Sequence, residues 1–289
     1  KGREQRGSFD SKCIVIYGGG KMKDMYVVKD GRRLRCGYTT GSCSAAAAKA
    51  CAIMLNEDRA VDEVSIDRSE GEGWASCCIV KDGGDDPDVT DGIEIYAKVS
   101  KRDDSGIVID GGEGIGRITR KGPFGNIGEA AINPVPRAMI KNEIRKVSKC
   151  GFNVIIYAPK GTEIGKKTFN ENIGIEGGIS IIGTSGIVEP MSDRALLKTI
   201  YIEADAIYDQ GYREIILFPG NYGEKMADEI GLSGKGVKIS NFIGDSISYC
   251  YNRGFQKIAL VGHIGKLSKL SIGAFNTHSR VCDVRMEAF

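Results

Sequence analysis

The sequence predicts two domains of mixed helix and strand: an α+β domain over residues 1–150 and an α/β domain with a mainly parallel sheet over 151–289. Three observations predict it. The chain has 289 residues, which at roughly 150 residues per domain allows two, each able to bury its own core. Short β-prone runs separated by Gly/Asp clusters fill much of the first half. Beyond residue 151, apolar runs ending in glycine-rich turns alternate with amphipathic stretches, the rhythm of a doubly wound, Rossmann-like sheet.

Taken in order, residues 1–30 are mixed and charged, and an irregular or weakly strand-like arm is expected. Thr40 and Ser42 are good N-cap residues, and residues 45–55 hold the alanines, Lys49, Met54 and Leu55 of a strong helix former. Strands are expected at 61–66, 75–80 and 93–99. After Pro134 and Pro136 a helix is expected over 137–148, closed at Gly151. The second domain places strands at 154–158, 179–182, 215–218, 237–239 and 258–261. In a parallel sheet the ligand crevice lies beyond the carboxyl ends of the strands. The turns at 160–162, 183–186, 219–223, 240–244 and 262–266 therefore bear on function.

Composition narrows the function classes. Hydrophobic residues make up 41% and charged residues 27%, as in ordinary globular proteins. Forty basic against 38 acidic residues give a net charge of +2, without the basic surplus that phosphate neutralisation asks of a nucleic-acid binder. The nine cysteines (13, 36, 43, 51, 77, 78, 150, 250 and 282) are odd in number and contain no C-x-x-C pair. This argues against a disulfide framework or a zinc site, and no metal ligands are expected. The only histidines, His263 and His278, lack metal-ligand spacing and read as hydrogen-bonding residues. No apolar run is long enough for a signal peptide or a spanning helix, so a cytoplasmic location away from the membrane is expected.

Four segments have the residue types for chemistry. Thr39, Thr40 and Ser42 lead into a helix whose first backbone N–H groups are expected to be free, with Arg32, Arg33, Arg35 and Lys49 nearby; the segment is either an anion site or simply a well-capped helix. Residues 81–90 place four aspartates in seven positions without calcium-loop spacing, so Asp85 and Asp88 either face a cationic group or brace a turn. Residues 110–119 set Glu113 and Arg117 among four glycines, either for close approach to a ligand or as a β-hairpin or bulge. Gly183, Thr184, Ser185 and Gly186 follow a strand and precede Glu189, an order comparable to glycine-turn and acidic ribose ligands of nucleoside sites. The 262–266 turn lacks the spacing of a nucleotide phosphate loop, and no serine-hydrolase elbow is present.

Several of these segments, in this order, resemble the CbiD family, the cobalt-precorrin-5B C1-methyltransferases of anaerobic cobalamin biosynthesis. The resemblance runs from Leu34 to Glu287 and rests on 35–50, 81–91, 111–120, 131–137, 168–192, 219–223, 262–266 and 275–286. Relatives are expected to continue past Phe289. The resemblance implies methylation of a cobalt tetrapyrrole at C1 with S-adenosylmethionine (SAM) as cosubstrate, cobalt entering only as part of the substrate. On this reading Arg35, Thr39, Thr40, Ser42 and Arg117 hold the carboxylate-rich substrate. Gly183, Thr184, Ser185, Gly186 and Glu189 hold SAM in the second domain, and Asp85, Asp88 or Glu113 orients a cationic group or accepts a proton. A nucleotide-dependent oxidoreductase and a non-catalytic tetrapyrrole carrier are the alternatives; a homo-oligomer is left open.

Overall fold

Alanine content decides where the first long helix forms and how closely it packs. The computed structural model describes residues 25–29, 31–57, 74–120, 124–232 and 234–283, apart from the side chains of residues 57 and 172. In it α1 spans Thr40–Glu57, and Ala47, Ala48, Cys51 and Ala52 are wholly buried. Small side chains at those positions let the helix lie close against a sheet. The expected strand at 61–66 lies outside the described residues, as does most of the expected N-terminal arm.

Ahead of α1, β1 (Tyr26–Lys29) pairs antiparallel with β2 (Arg32–Arg35), and β3 (Gly37–Tyr38) leads into the helix. After it come β4 (Trp74–Val80), β5 (Glu94–Arg102), β6 (Ile107–Gly111), β7 (Arg117–Ile118), α2 (Pro134–Arg145) and β8 (Gly151–Tyr157). Strands β4, β5, β8 and β6 form, in that order, a mixed sheet: β5 is antiparallel to both neighbours, and β6 is parallel to β8. α1 packs on β4, β5 and α2, and Ile95, Val99, Val154 and Ile156 meet its alanines in one core. α2 begins at Pro134, three residues earlier than expected, because proline suits a helix's first position, where its missing N–H costs nothing. Its buried face is Pro136, Ile140 and Ile144, one helical stripe.

Next follow α3 (Gly161–Gly165), β9 (Ile175–Glu176) and β10 (Ile187–Val188). β7 pairs with β9, and β10 pairs antiparallel with β3. The chain then divides, with Lys1–Pro190 as one unit and Met191–Phe289 as the other. This moves the expected boundary. Residues 151–157 were expected to open a parallel domain, but as β8 they sit between β5 and β6 in the first unit's sheet. The apolar run at 179–182 forms no ladder; it makes only isolated bridges from Ile179 to Ile115 and from Ile181 to Ile132. A short apolar run satisfies the core of a mixed sheet as well as that of a parallel one, so pattern alone could not separate them.

The second unit runs α4 (Asp193–Asp209), β11 (Glu214–Phe218), α5 (Gly223–Glu229), β12 (Gly236–Lys238), α6 (Ile243–Arg253), β13 (Lys257–Leu260) and α7 (Ile264–Leu267). Its sheet is parallel throughout, in the order β12-β11-β13, as the expected strands at 215–218, 237–239 and 258–261 required. Alternation along β11 divides the helices between two faces. Ile215 and Leu217 join Ile200, Ala204 and Ile207 of α4 and Ile243 and Cys250 of α6, while Ile216 and Phe218 join Ala227 of α5.

On α4, the half-buried Glu203 has Lys238 as its neighbouring charge, yet Lys238 is paired with Glu224. Burial raises the Glu203 carboxyl from 4.5 to about 7, with Lys238 opposing the rise. The folded chain therefore binds this proton more tightly than the unfolded chain. The stability it contributes is full below pH 4.5 and is lost as pH rises through about 7. Glu203→Gln is expected to keep its thermal midpoint across that window while the parent's falls; parallel midpoints would refute the assignment.

Candidate functional site

Two glycine-dependent close approaches assemble the first unit's candidate site. At the start of α1, Gly41 donates its N–H to the Ile182 carbonyl (3.0 Å) and Thr39 donates its own to Gly186 (3.1 Å). Thr40 Oγ1 accepts from the Ile182 N–H at 2.8 Å and lies 3.3 Å from the carbonyls of Ser180 and Ile182. Ser42 Oγ donates to the Gly186 carbonyl at 2.5 Å. A Cβ on Gly183 would sit 2.3 Å from Thr39 Oγ1, and one on Gly186 would sit 2.8 Å from Ser42 Oγ; both glycines have positive φ. The glycines of this turn are thus needed to seat it on Thr39 and Ser42.

This changes the reading of the helix start. The N–H groups expected to be free are engaged: Gly41's goes to Ile182, Ser42's to Thr39 Oγ1 (3.2 Å) and Cys43's to the Thr39 carbonyl. The capped-helix alternative describes this end better than an open anion site. The turn at 183–186 also belongs to the first unit, so Thr39, Thr40 and Ser42, expected to hold substrate, adjoin the turn expected to hold SAM instead of lying in a separate domain. Thr184, Ser185 and Glu189 face solvent. Glu189 is near Cys36, whose thiol is pushed up by burial and further by that carboxylate.

The acidic segment packs on the strand before the helix. Arg35 makes a bidentate pair with Asp82 (2.6 and 2.7 Å), and its backbone N–H donates to Asp85 Oδ2 at 2.6 Å. A Cβ on Gly37 would fall 2.1 Å from the Gly83 backbone. Asp88 accepts from Lys81 Nζ (2.9 Å) and from the Thr90 N–H and hydroxyl (2.8 and 2.7 Å). The Lys81 side chain is only 1% exposed, so Asp88 supplies the charge that a buried ammonium requires. Burial opposes ionisation of Asp88, but the bonds from Lys81 and Thr90 prevail and hold its carboxyl below the ordinary range. Asp85 and Asp88 therefore brace the turn. Sequence reading missed Lys81, whose signal was a lysine directly following the apolar run 77–80.

The third segment is likewise tied down. Arg117 pairs with Asp110 (2.7 Å) and donates to the Gly111 carbonyl (2.5 Å). Glu113 sits exposed in the same turn. The Gly114 carbonyl accepts from Ile179 N–H at 3.0 Å, so the turn meets the chain leading to residues 180–186. Among the described residues no group of three or more His, Cys, Asp or Glu could hold a metal ion, and no helix is long and apolar enough to cross a membrane. Cys43, pushed to about 12 by burial against the opposing Lys81 charge, is no ready nucleophile.

Comparison with known proteins adds to this geometry. A family model described as CbiD matches residues 27–190. A cobalt-precorrin-5B C(1)-methyltransferase of Alkaliphilus oremlandii is 63% identical over 282 residues, 93% of this chain and 79% of that one. Proteins of the same name from Treponema denticola and Ruminiclostridium cellulolyticum are 57% and 49% identical, covering 92% and 91% of this chain and 79% and 74% of theirs. The crystal structure of a cobalamin biosynthesis protein (cbiD) from Archaeoglobus fulgidus is 26% identical, with 89% of this chain and 87% of that one covered, at a TM-score of 0.43.

Gly183→Ala is expected to destabilise the chain by about 1–3 kcal/mol, because it forces a side chain into a positive-φ site against Thr39. Thr40→Val is expected to strip the Ile182 N–H of its acceptor at a cost of about 1–3 kcal/mol. Denaturant unfolding measures both; parental stability in either variant would remove the proposed clamp.

Proposed function

The chain belongs to the CbiD family, and on that premise we propose that it transfers a methyl group from SAM to C-1 of cobalt-precorrin-5B in cobalamin biosynthesis. The observation that carries the reading is the 63% identity, over 93% of the chain, to a relative named for that reaction. A cytoplasmic location goes with it, as does a Rossmann-like arrangement of the second unit, which the three parallel strands between helices support.

SAM, when bound, supplies a methyl carbon on a positively charged sulfur, so that direct displacement leaves a neutral thioether and needs no nucleophilic side chain. The chain's own contribution is alignment, which can be worth roughly 7–11 kcal/mol. The outward Thr184, Ser185 and Glu189 fit a nucleoside, their hydroxyls and carboxylate matching ribose hydroxyls, whereas Gly183 and Gly186 are taken up by Thr39 and Ser42. Thr39, Thr40 and Ser42 serve the reaction by holding that turn. Arg32 and Arg33 are the exposed members of the basic cluster, suited to substrate carboxylates, since Arg35 and Arg117 already bind Asp82 and Asp110. Glu113 is the exposed carboxylate of the three candidates not braced into a turn, and so the one suited to face a reactant.

Incubating the protein with SAM and cobalt-precorrin-5B is expected to yield a tetrapyrrole heavier by one methyl group in the mass spectrum. A bound but unmodified tetrapyrrole would identify a carrier instead. Glu189→Gln is expected to weaken SAM binding about tenfold, read by calorimetry; unchanged affinity would remove Glu189 from the donor site.

A further inference from the structure

The second unit holds a cation that no carboxylate neutralises among the described residues. Its sheet order, β12-β11-β13, puts the strand that follows α5 on one side of β11 and the strand that follows α6 on the other. In open parallel sheets the crevice beyond the carboxyl ends at such a reversal is where ligands bind. Here two turns meet at that edge: a Cβ on Gly262, after β13, would lie 2.8 Å from Pro219 Cγ, after β11.

Lys266 spans all three strand ends. From the β13 side its ammonium passes over Gly220, whose Cβ position lies 3.4 Å from Nζ, and reaches the chain after β12. There it donates to Asn241 Oδ1 (2.7 Å) and to the Ser240 carbonyl (3.2 Å). Ser240 holds a φ of 50°, a costly conformation for a residue with a side chain. Both partners are neutral, and two bonds leave one of the ammonium's three donors over. Among the described residues Lys269, 2% exposed, is likewise bonded to carbonyls, those of Thr277 and Cys282. Burial, together with the Lys269 charge, holds the Lys266 ammonium below its ordinary pKa, as expected where positive charge gathers without a counter-ion. The rim has recognition groups of its own. Tyr222 is 72% exposed, and the exposed His263 accepts the Gly265 N–H at Nδ1.

We propose that the carboxyl edge of the second unit's sheet is a carboxylate-binding site centred on Lys266, with Asn241 positioning the ammonium. The identity of the carboxylate rests on the methyl-transfer reading, whose two reactants both carry one: the amino-acid end of SAM and the side chains of the tetrapyrrole.

Binding of SAM, of decarboxylated SAM and of cobalt-precorrin-5B is measured by calorimetry on the parent chain, Lys266→Met and Asn241→Asp. The second variant sets a carboxylate against the ammonium and neutralises it without removing a bond, so it guards against simple misfolding of the first. Loss of the charge is expected to weaken one ligand about 10- to 100-fold. If that ligand is SAM, the parent's preference for SAM over its decarboxylated form disappears in both variants. If it is the tetrapyrrole, SAM affinity holds and tetrapyrrole affinity falls. Folded variants that bind all three ligands like the parent overturn the site, as does a parent that binds neither reactant. Methyl transfer by the parent is scored separately: its absence would sink the functional reading whatever the variants bind.

Discussion

One stretch of chain, residues 178–188, is held by hydrogen bonds from three separate segments of the first unit, 114–116, 131–133 and 37–42. Ile179 exchanges bonds with Gly114 and Gly116, Ile181 with Ala131 and Asn133, Ile182 with Thr40 and Gly41, and Gly186 with Thr39 and Ser42. Val188 and Ile187 then pair with β3. The stretch has no long ladder of its own, so its buried polar groups are satisfied by side-chain hydroxyls and turn backbones. That explains why glycines cluster at the contacts. A Cβ at Gly114, Gly178 or Gly183 would collide with backbone or with Thr39.

Charge is handled in two ways among the described residues. In the first unit Arg35 pairs with Asp82, Lys81 with Asp88 and Arg117 with Asp110, and in the second Arg253 pairs with Asp205 and Lys257 with Glu214. A bidentate guanidinium already holding a carboxylate has little left to offer a second one. In the second unit Lys266 and Lys269 are held by amide and carbonyl oxygens, which orient an ammonium without cancelling its charge.

Residue types made part of this legible. The alanine-rich segment could hardly be other than a helix, although its cap is Thr39, whose hydroxyl accepts the Ser42 N–H, while the expected caps Thr40 and Ser42 lie inside the helix and bond residues 182 and 186. The β-prone runs at 75–80 and 93–99 are β4 and β5, and the three strands of the second unit stand where alternation with helices put them. The order of unusual segments carried the family resemblance, which identity to relatives then established. These are local properties, or properties of order along the chain, and both are written in one dimension.

What only the tertiary structure decided is who partners whom. Residues 154–158 read as the first strand of a parallel domain, yet their neighbours are β5 and β6, because an apolar run does not encode the direction of the strand beside it. Asp88 looked available until the fold buried Lys81 against it. The N–H groups at the start of α1 looked open until the Ile182 carbonyl, about 140 positions along the chain, took that of Gly41 and Thr39 took those of Ser42 and Cys43. By itself the sequence determined the two helices α1 and α2, six of the thirteen strands among the described residues, and the family. Three-dimensional contact decided which polar groups are spent on the fold and which remain for a ligand, since a hydrogen bond is settled by distance in space and not along the chain.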